Sequence, residues 1–253
     1  MTRLEEIGQG RYAHASGALW VPAMHTAFVA DPHFGYGWAQ RRRGELGPVI
    51  DPQSPSRLKA LLGELEPGRV VLVGDVVHAP RPGEAEREAI ETAIAQIRSR
   101  AELVVVLGNH DRGFLDDFGS LGLVISKEWQ EGGIRACHGD RGFPTAEGIH
   151  LVAGHLHPVL RVRDRAGAGQ RLRVFLTNSR LTVLPAFSPF SSGFTINHGL
   201  PDDLAEAFGS EPVIAAAITE KRVALLGPIA HLQPNLARHV PRPPAADQAK
   251  GPG

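Results

Sequence analysis

The chain has 253 residues, of which 42% are apolar, and 27 basic against 27 acidic side chains give a formal net charge of zero. That length and apolar share are enough for a sizeable core, in one large domain or two small ones, and the zero charge excludes attraction of a polyanion by the whole molecule, leaving only local patches for such binding. A single cysteine, Cys137, excludes an intramolecular disulfide, and no run approaches the ~18 apolar residues of a membrane span.

Met1 to Gly10 is polar and lacks the apolar segment of a secretory signal. The expectation is a cytoplasmic protein without membrane association. Residues 1–17 read as a polar leader. Ala18-Leu19-Trp20-Val21 and Ala27-Phe28-Val29-Ala30 are short apolar runs closed by turn residues, and predict strands. Residues 35–53 show no periodicity and predict a loop. Ser54-Pro55-Ser56 then opens a helix with Leu58, Leu61, Leu62 and Leu65 on one face. Pro67-Gly68 ends it. Val70–Val73 and Leu103–Leu107 are continuous apolar runs, as expected of buried parallel strands, and a helix over residues 84–99 lies between them.

Beyond residue 120 the pattern shifts to closely spaced short strands: Leu123–Ile125, Ile134–Cys137, Ile149–Ala153, Leu160–Arg163, Leu172–Leu176 and Gly193–Ile196. This texture predicts antiparallel pairing. Residues 202–208 predict a short helix and residues 212–226 a final hairpin. The strand–helix alternation followed by the run of strands predicts an α/β (α+β) fold with a mixed, two-sheet core. The expected organisation is a single domain over residues 18–235 and a Pro/Ala/Gly-rich disordered tail over residues 236–253.

Five polar clusters close apolar runs: Asp31-Pro32-His33, Gly74-Asp75, Gly108-Asn109-His110-Asp111, His138-Gly139-Asp140 and Gly154-His155-Leu156-His157. In an open α/β sheet, ligand-binding residues emerge at the carboxyl ends of strands. Asp31, Asp75 and Asn109 should therefore share one edge. Oxygen and imidazole donors together suit divalent first-row metals such as Mn, Fe or Zn. Two such ions neutralise a phosphoester anion, activate water and stabilise the leaving oxygen. Any one cluster is explained as well by turn chemistry; five in this order point to a two-metal phosphoester-cleaving centre.

These motifs resemble the calcineurin-like metallophosphoesterase superfamily, with its D-x-H, G-D, G-N-H-[DE], H and G-H-x-H signature. The resemblance implies a four-layer αββα sandwich of two mixed sheets flanked by helices. It implies two divalent metal ions, Mn²⁺ foremost, with Fe or Zn as alternatives. Carried over by motif, Asp31, His33 and His157 bind the first metal; Asp75 bridges both; Asn109, His138 and His155 bind the second. His110 is then the catalytic residue, assisting the leaving group during attack by a metal-bridging hydroxide, with Asp111 orienting it.

Gly74-Asp75-Val76-Val77-His78, Gly154-His155-Leu156-His157-Pro158, the arginine-rich hairpin after it, Leu184-Pro185-Ala186-Phe187 and Phe190-Ser191-Ser192-Gly193 are similar to the bacterial DNA ligase-associated metallophosphoesterases, a DNA-repair endonuclease group. The likeness runs from about Leu19 to Gly193. It departs where that group has an aliphatic residue and Gly-Lys; this chain has Pro32 and Gly35-Tyr36. The likeness implies DNA or another nucleic acid as substrate and, by analogy, repair ligase or helicase partners. A nucleotide or dinucleotide phosphatase or phosphodiesterase is the alternative, and a non-catalytic scaffold of the same fold the remote one.

Arg161, Arg163 and Arg165 alternate along one strand, and Arg171 and Arg173 along the next. They read either as a phosphate-holding stripe or as a solvated hairpin face; Arg41-Arg42-Arg43 would extend the stripe. Arg161, Arg163, Arg173 and His78 are the candidate substrate contacts. His78 reads equally as a helix cap. Asp140 reads as a carboxylate supporting His138 or as a turn residue.

Overall fold

A computed structural model describes residues 3–42, 44, 53–163, 168–219 and 222–232. The expected tail over residues 236–253 lies outside these. Among the described residues fifteen strands form two sheets. The first contains β1 (Leu4–Gly8), β2 (Arg11–His14), β3 (Leu19–Val21), β4 (Thr26–Ala30), β5 (Arg69–Val73), β6 (Glu102–Val106) and β7 (Val124–Ser126), side by side in chain order. The second contains β8 (Glu128–Glu131), β9 (Ile134–Cys137), β10 (His150–Ala153), β11 (Val159–Arg163), β12 (Gly169–Thr177), β13 (Leu181–Val183), β14 (Ile214–Ile218) and β15 (Val223–Pro228). Its order is β15-β14-β12-β13-β10-β9-β8, with β11 paired to β12 as a hairpin. The helices are α1 (Tyr36–Arg42), α2 (Gln53–Leu65), α3 (Glu84–Arg98), α4 (Phe114–Phe118) and α5 (Asp202–Phe208).

Period-two alternation assigns the faces. Phe28, Ala30, Val71, Val73, Val104 and Val106 point between the sheets, where they meet Ala136, Val152, Phe175 and Ala216. The alternate residues Val29, Val70, Leu72, Leu103 and Val105 meet Leu58, Leu61, Ile90, Ile94 and Ile97 of α2 and α3. On the far side Leu151, Ala153, Val174, Leu176 and Ala217 meet Leu204 and Phe208 of α5. The result is the helix–sheet–sheet–helix layering that the family resemblance implies. Because β4, β5 and β6 are buried on both faces, they carry β-branched residues without alternation.

Four differences have physical causes. Residues 4–14 are not a leader but the edge strand β1 and its neighbour β2; Ile7, Ala13 and, just beyond, Ala15 reach the central core, while the buried Arg11 and His14 keep the segment polar. Residues 36–42 form α1, too short for visible periodicity and with Ala39 as its buried apolar residue. The second half is not uniformly antiparallel: β6–β7, β9–β10 and β10–β13 are parallel. Gly193–Ile196 makes only a bridge, Thr195 to Val159, before a 3-10 turn at Ile196–His198. Among the described residues no helix is long and apolar enough to cross a membrane.

Candidate metal centre

The register fixes where the polar clusters emerge. Ala30, Val73 and Val106 are aligned partners at the ends of parallel strands, so the loops carrying Asp31, Asp75 and Asn109 leave side by side. In the second sheet Ala153 pairs with Cys137, which releases His155 and His138 at the facing edge. The loops are laced together by their backbones: Asp31 N donates to Gly74 O at 3.2 Å, His33 N to Asp75 O at 3.0 Å, and Gly154 N to His138 O at 3.0 Å. The carboxylates also bind main chain. Asp31 Oδ2 accepts from His155 N at 3.0 Å and Asp75 Oδ1 from His110 N at 2.9 Å.

The turns are unusually tight. Eight described non-glycine residues have positive φ, and five of them are Asp31, His33, Asp75, His155 and His157, at 45° to 63°. Such a conformation costs an ordinary residue about 1–2 kcal/mol, and its concentration here marks a segment held in place for the sake of its side chains. Two glycines make room. A Cβ on Gly74 would sit 1.9 Å from His138 Nδ1, and one on Gly108 would sit 2.3 Å from Asp75 Oδ1.

The side chains converge in two groups, Asp31/His33/His157 and Asp75/His138/His155, each with ligand atoms within 4.8 Å of one another. His157 Nε2 lies 3.2 Å from Asp31 Oδ2, and His138 Nδ1 lies 3.5 Å from Asp31 Oδ1, which joins the groups. Around His138 Nε2 stand Asn109 Oδ1 at 3.0 Å, His155 Nδ1 at 3.1 Å and Asp75 Oδ1 at 3.4 Å. Asp31 Oδ1, His33 Nδ1, His138 Nδ1 and His157 Nε2 are buried without a hydrogen-bond partner. Leaving such groups unpaired costs about 1–3 kcal/mol each, so hard and borderline donors packed this closely fit divalent cations.

The electrostatics agree. Burial raises the Asp31 carboxyl, but His157, His138 and His33 overcome this and hold it below the ordinary carboxylate range. Burial lowers His157, yet Asp31 and Asp75 outweigh it and raise its pKa. Burial pushes His33 down to about 3 despite Asp31, so its imidazole is neutral, the form that binds metal. Cys137 turns to the α5-side core, away from the cluster, and burial pushes its thiol up to about 12.

His110 stands beside these groups. Its Nδ1 lies 2.9 Å from His78 O, to which it donates, and its Nε2 points inward, 3.9 Å from Asp75 Oδ2. His33, His78 and His110 form a third close cluster. Asp111 makes no side-chain hydrogen bond to His110 among the described residues. Its carboxylate accepts from Val76 N (3.2 Å), Val77 N (3.0 Å) and Gly108 N (2.8 Å), and so ties the Asp75 loop to the Asn109 loop. Burial raises Asp111 to about 6, against the pull of those three N–H groups. Asp140 makes no hydrogen bond to His138; its Oδ2 lies 3.8 Å from Arg141 Nε.

The arginine candidates divide. In the β11–β12 hairpin Arg161 faces Arg171 and Arg163 faces Gly169, and all three arginines are exposed. Arg173 is instead turned inward, its Nη1 donating to Ala186 O at 2.9 Å and Phe187 O at 3.4 Å. Arg165 and Arg43 lie outside the described residues. Two cavities flank Asn109. One of about 1110 Å³ is lined by His78, Arg81, His110 and Arg112, and one of about 630 Å³ by Arg112, Lys127, His138 and Asp140. Sequence reading missed Arg112, and also Tyr36, which packs edge-on to His78 and stacks on Phe190 at 4.9 Å. Neither had a spacing signal; Arg112 directly follows the Asn-His-Asp run.

The comparisons with known proteins agree with this geometry. Among curated proteins no match is found. Solved structures with the same fold include that of the Pseudomonas putida nuclease MPE, which aligns over 88% of this chain and 98% of its own, with a TM-score of 0.65 and 24% identity. A family model described as calcineurin-like phosphoesterase matches residues 24–216, a span that contains every candidate ligand. On that match the chain belongs to the calcineurin-like phosphoesterase family, whose members are metal-dependent hydrolases of phosphoester bonds.

Proposed function

We propose that this protein is a dinuclear metal-dependent phosphodiesterase acting on nucleic acid, in the manner of a DNA-repair nuclease. The carrying observation is the meeting of Asp31/His33/His157 with Asp75/His138/His155 on one strand-end edge. Asp31, His33 and His157 would hold one divalent ion, Asn109, His138 and His155 the other, and Asp75 would be shared. Bound there, the ions supply charge against the phosphodiester anion and lower the pKa of water. Mn²⁺ is the favoured metal, since the donors are oxygen and imidazole without thiolate.

The remaining steps belong to the side chains. His110 Nε2, directed inward by the Nδ1 bond to the His78 carbonyl, gives a proton to the departing oxygen. The nucleic-acid substrate rests on three supports. The family match is to phosphoesterases, a fold relative is a nuclease, and exposed arginines stand beside Asn109 (Arg112) and on the hairpin that follows His157 (Arg161 and Arg163). Arg173 acts by position, pinning the Ala186–Phe187 segment, and His78 acts through its carbonyl and its packing on Tyr36.

A substrate panel with added Mn²⁺ tests this reading: aryl phosphomonoester, aryl phosphodiester, dinucleotide, single-stranded DNA and duplex DNA. The expected result is turnover of the aryl diester and of DNA, with DNA cleavage falling steeply as salt rises. Turnover confined to the dinucleotide, with little salt dependence, would replace the nucleic-acid reading with a small-nucleotide phosphodiesterase.

A further inference from the structure

A third cavity, of about 630 Å³, lies outside the metal centre and is lined by Arg3, His14, Arg57, Gln170, Arg171 and Arg173, among other residues. Strand register places it on the same edge as the metals. β3 runs antiparallel to β4, β2 to β3 and β1 to β2, which brings His14 and Arg3 to the end where Asp31 emerges. In the second sheet β13 runs parallel to β10 and β12 antiparallel to β13, which brings Arg173 and Arg171 to that same end. The wall between cavity and metal centre is the segment Leu184–Ser188. Phe187 N bonds to Ala30 O at 2.7 Å and Ser188 N to Asp31 O at 3.2 Å. Arg57 and Arg173 both donate to Phe187 O from the cavity side.

Two of the arginines lining this cavity, Arg171 and Arg173, have no carboxylate partner among the described residues. Arg57 and Arg173 lie close enough to repel: burial, and then Arg57, push the Arg173 guanidinium down to about 9, with no carboxylate acting against them. Arg173 bonds only through Nη1, leaving Nε and Nη2 without a protein partner among the described residues. Arg171 has neither a hydrogen bond nor an ion pair there, and it faces a second exposed arginine, Arg161. Among the described residues Glu64 borders the cavity, and it is engaged by Arg3 at 2.7 Å and His14 at 3.0 Å. The unbonded Nε and Nη2 of Arg173 and the exposed head of Arg171, both on this one cavity, suit it to an anion from outside.

We infer that this arginine-lined cavity is a second phosphate-binding subsite, holding the backbone of a single nucleic acid strand at a phosphate away from the one being cleaved. The inference rests on the nucleic-acid reading above and adds where the strand runs. β2 lies two strands from β4, at about 4.8 Å per strand, or roughly 10 Å across the edge. An extended single strand spaces its phosphates about twice as far apart as the ~3.4 Å rise of a stacked duplex strand, so the subsite falls about two nucleotides from the scissile bond. Single strands suit it, because the wall at Leu184–Ser188 demands a backbone that bends over it.

The test compares kcat/KM for single-stranded oligonucleotides of two to twelve nucleotides in the wild type, Arg171→Gln and Arg100→Gln. Arg171 is exposed and pins no backbone; Arg100 is exposed at the opposite end of the strands and serves as the charge control. In the wild type kcat/KM should climb once the substrate reaches past about two nucleotides from the cleaved bond. Arg171→Gln should reduce the long-to-short ratio roughly three- to tenfold and lower the salt slope by about 0.7, whereas Arg100→Gln should match the wild type. A variant Arg171→Gln equal to wild type at every length, or one that loses the same factor at every length, overturns the subsite and leaves the nuclease reading standing. A wild type that turns over aryl diesters but no oligonucleotide overturns both.

Discussion

Strand β10 carries a buried histidine at its start, His150, and releases His155 just beyond its end, and the two ends are wired in opposite ways. At the start both ring nitrogens are paired: Nδ1 lies 2.9 Å from Ser179 O, and Nε2 lies 2.9 Å from Thr182 Oγ1, which in turn bonds to Thr177 Oγ1 at 2.8 Å. At the other end the imidazoles face one another and the carboxylates, and four buried polar atoms have no hydrogen-bond partner. His14 resembles His150, with Ser16 and Glu64 on its two nitrogens. A buried histidine whose hydrogen bonds are complete is part of the framework. A buried group of histidines and aspartates whose bonds are incomplete has donor atoms left over that could hold a cation. The contrast in local backbone is the same: the metal edge concentrates the positive-φ residues, and His150 sits in ordinary strand.

The largest effect that would sharpen this contrast is at the shared carboxylate. Asp75→Asn should lower turnover of an aryl phosphodiester by about a thousandfold or more, since it removes one charge from between the two ion sites. Steady-state assay at saturating Mn²⁺ measures it. His150→Gln, at the opposite edge, should leave kcat of the folded protein within a factor of two or so of wild type. Next comes His110→Ala, expected to cost kcat about a hundredfold with bound metal unchanged. If the metals are lost instead, His110 is a ligand and its assignment is wrong.

A smaller effect, on stability, separates the two edges by pH. Burial holds His150 at about 4 in the folded chain, while in the unfolded chain it titrates near 6.5. Between those values the unfolded state binds the extra proton, so stability is full above about pH 6.5 and falls as pH drops toward 4. The shift corresponds to roughly 3 kcal/mol at most. Urea unfolding of the wild type and of His150→Gln between pH 4 and 7 should show a shallower acid loss in the variant. The smallest effect is at the hairpin. Arg161→Gln with Arg163→Gln should weaken cleavage of single-stranded DNA only a fewfold, while flattening its salt dependence by about 0.7 per lost contact.

Much of this was legible in the sequence, for identifiable reasons. Asp31, Asp75 and Asn109 each end a strand that is apolar on both faces, so their edge followed from the pattern alone. The same holds for His138 and His155. What escaped depended on direction within a tight turn or on depth at a strand end. His110 and Asp111 are neighbours, yet the turn sends one ring toward Asp75 and the other side chain into three backbone amides. Period two correctly set Arg171 and Arg173 on one face of β12, but that face passes from solvent at Arg171 to buried carbonyls at Arg173. The polar segment 4–14 hid an edge strand and its neighbour because two of its buried residues, Arg11 and His14, are polar, which leaves only Ile7 and Ala13 as apolar signal. Arg112 carries no periodic signal, and only the two cavities meeting at Asn109 single it out.

The central claim is that seven side chains form a centre for two metal ions with Asp75 shared between them. Metal content per chain, by mass spectrometry after loading with Mn²⁺ and exhaustive dialysis, tests it most directly. The account predicts two ions in the wild type, two in His150→Gln, and one or fewer in Asp75→Asn. A wild type that retains none, or an Asp75→Asn variant that still retains two, would contradict it.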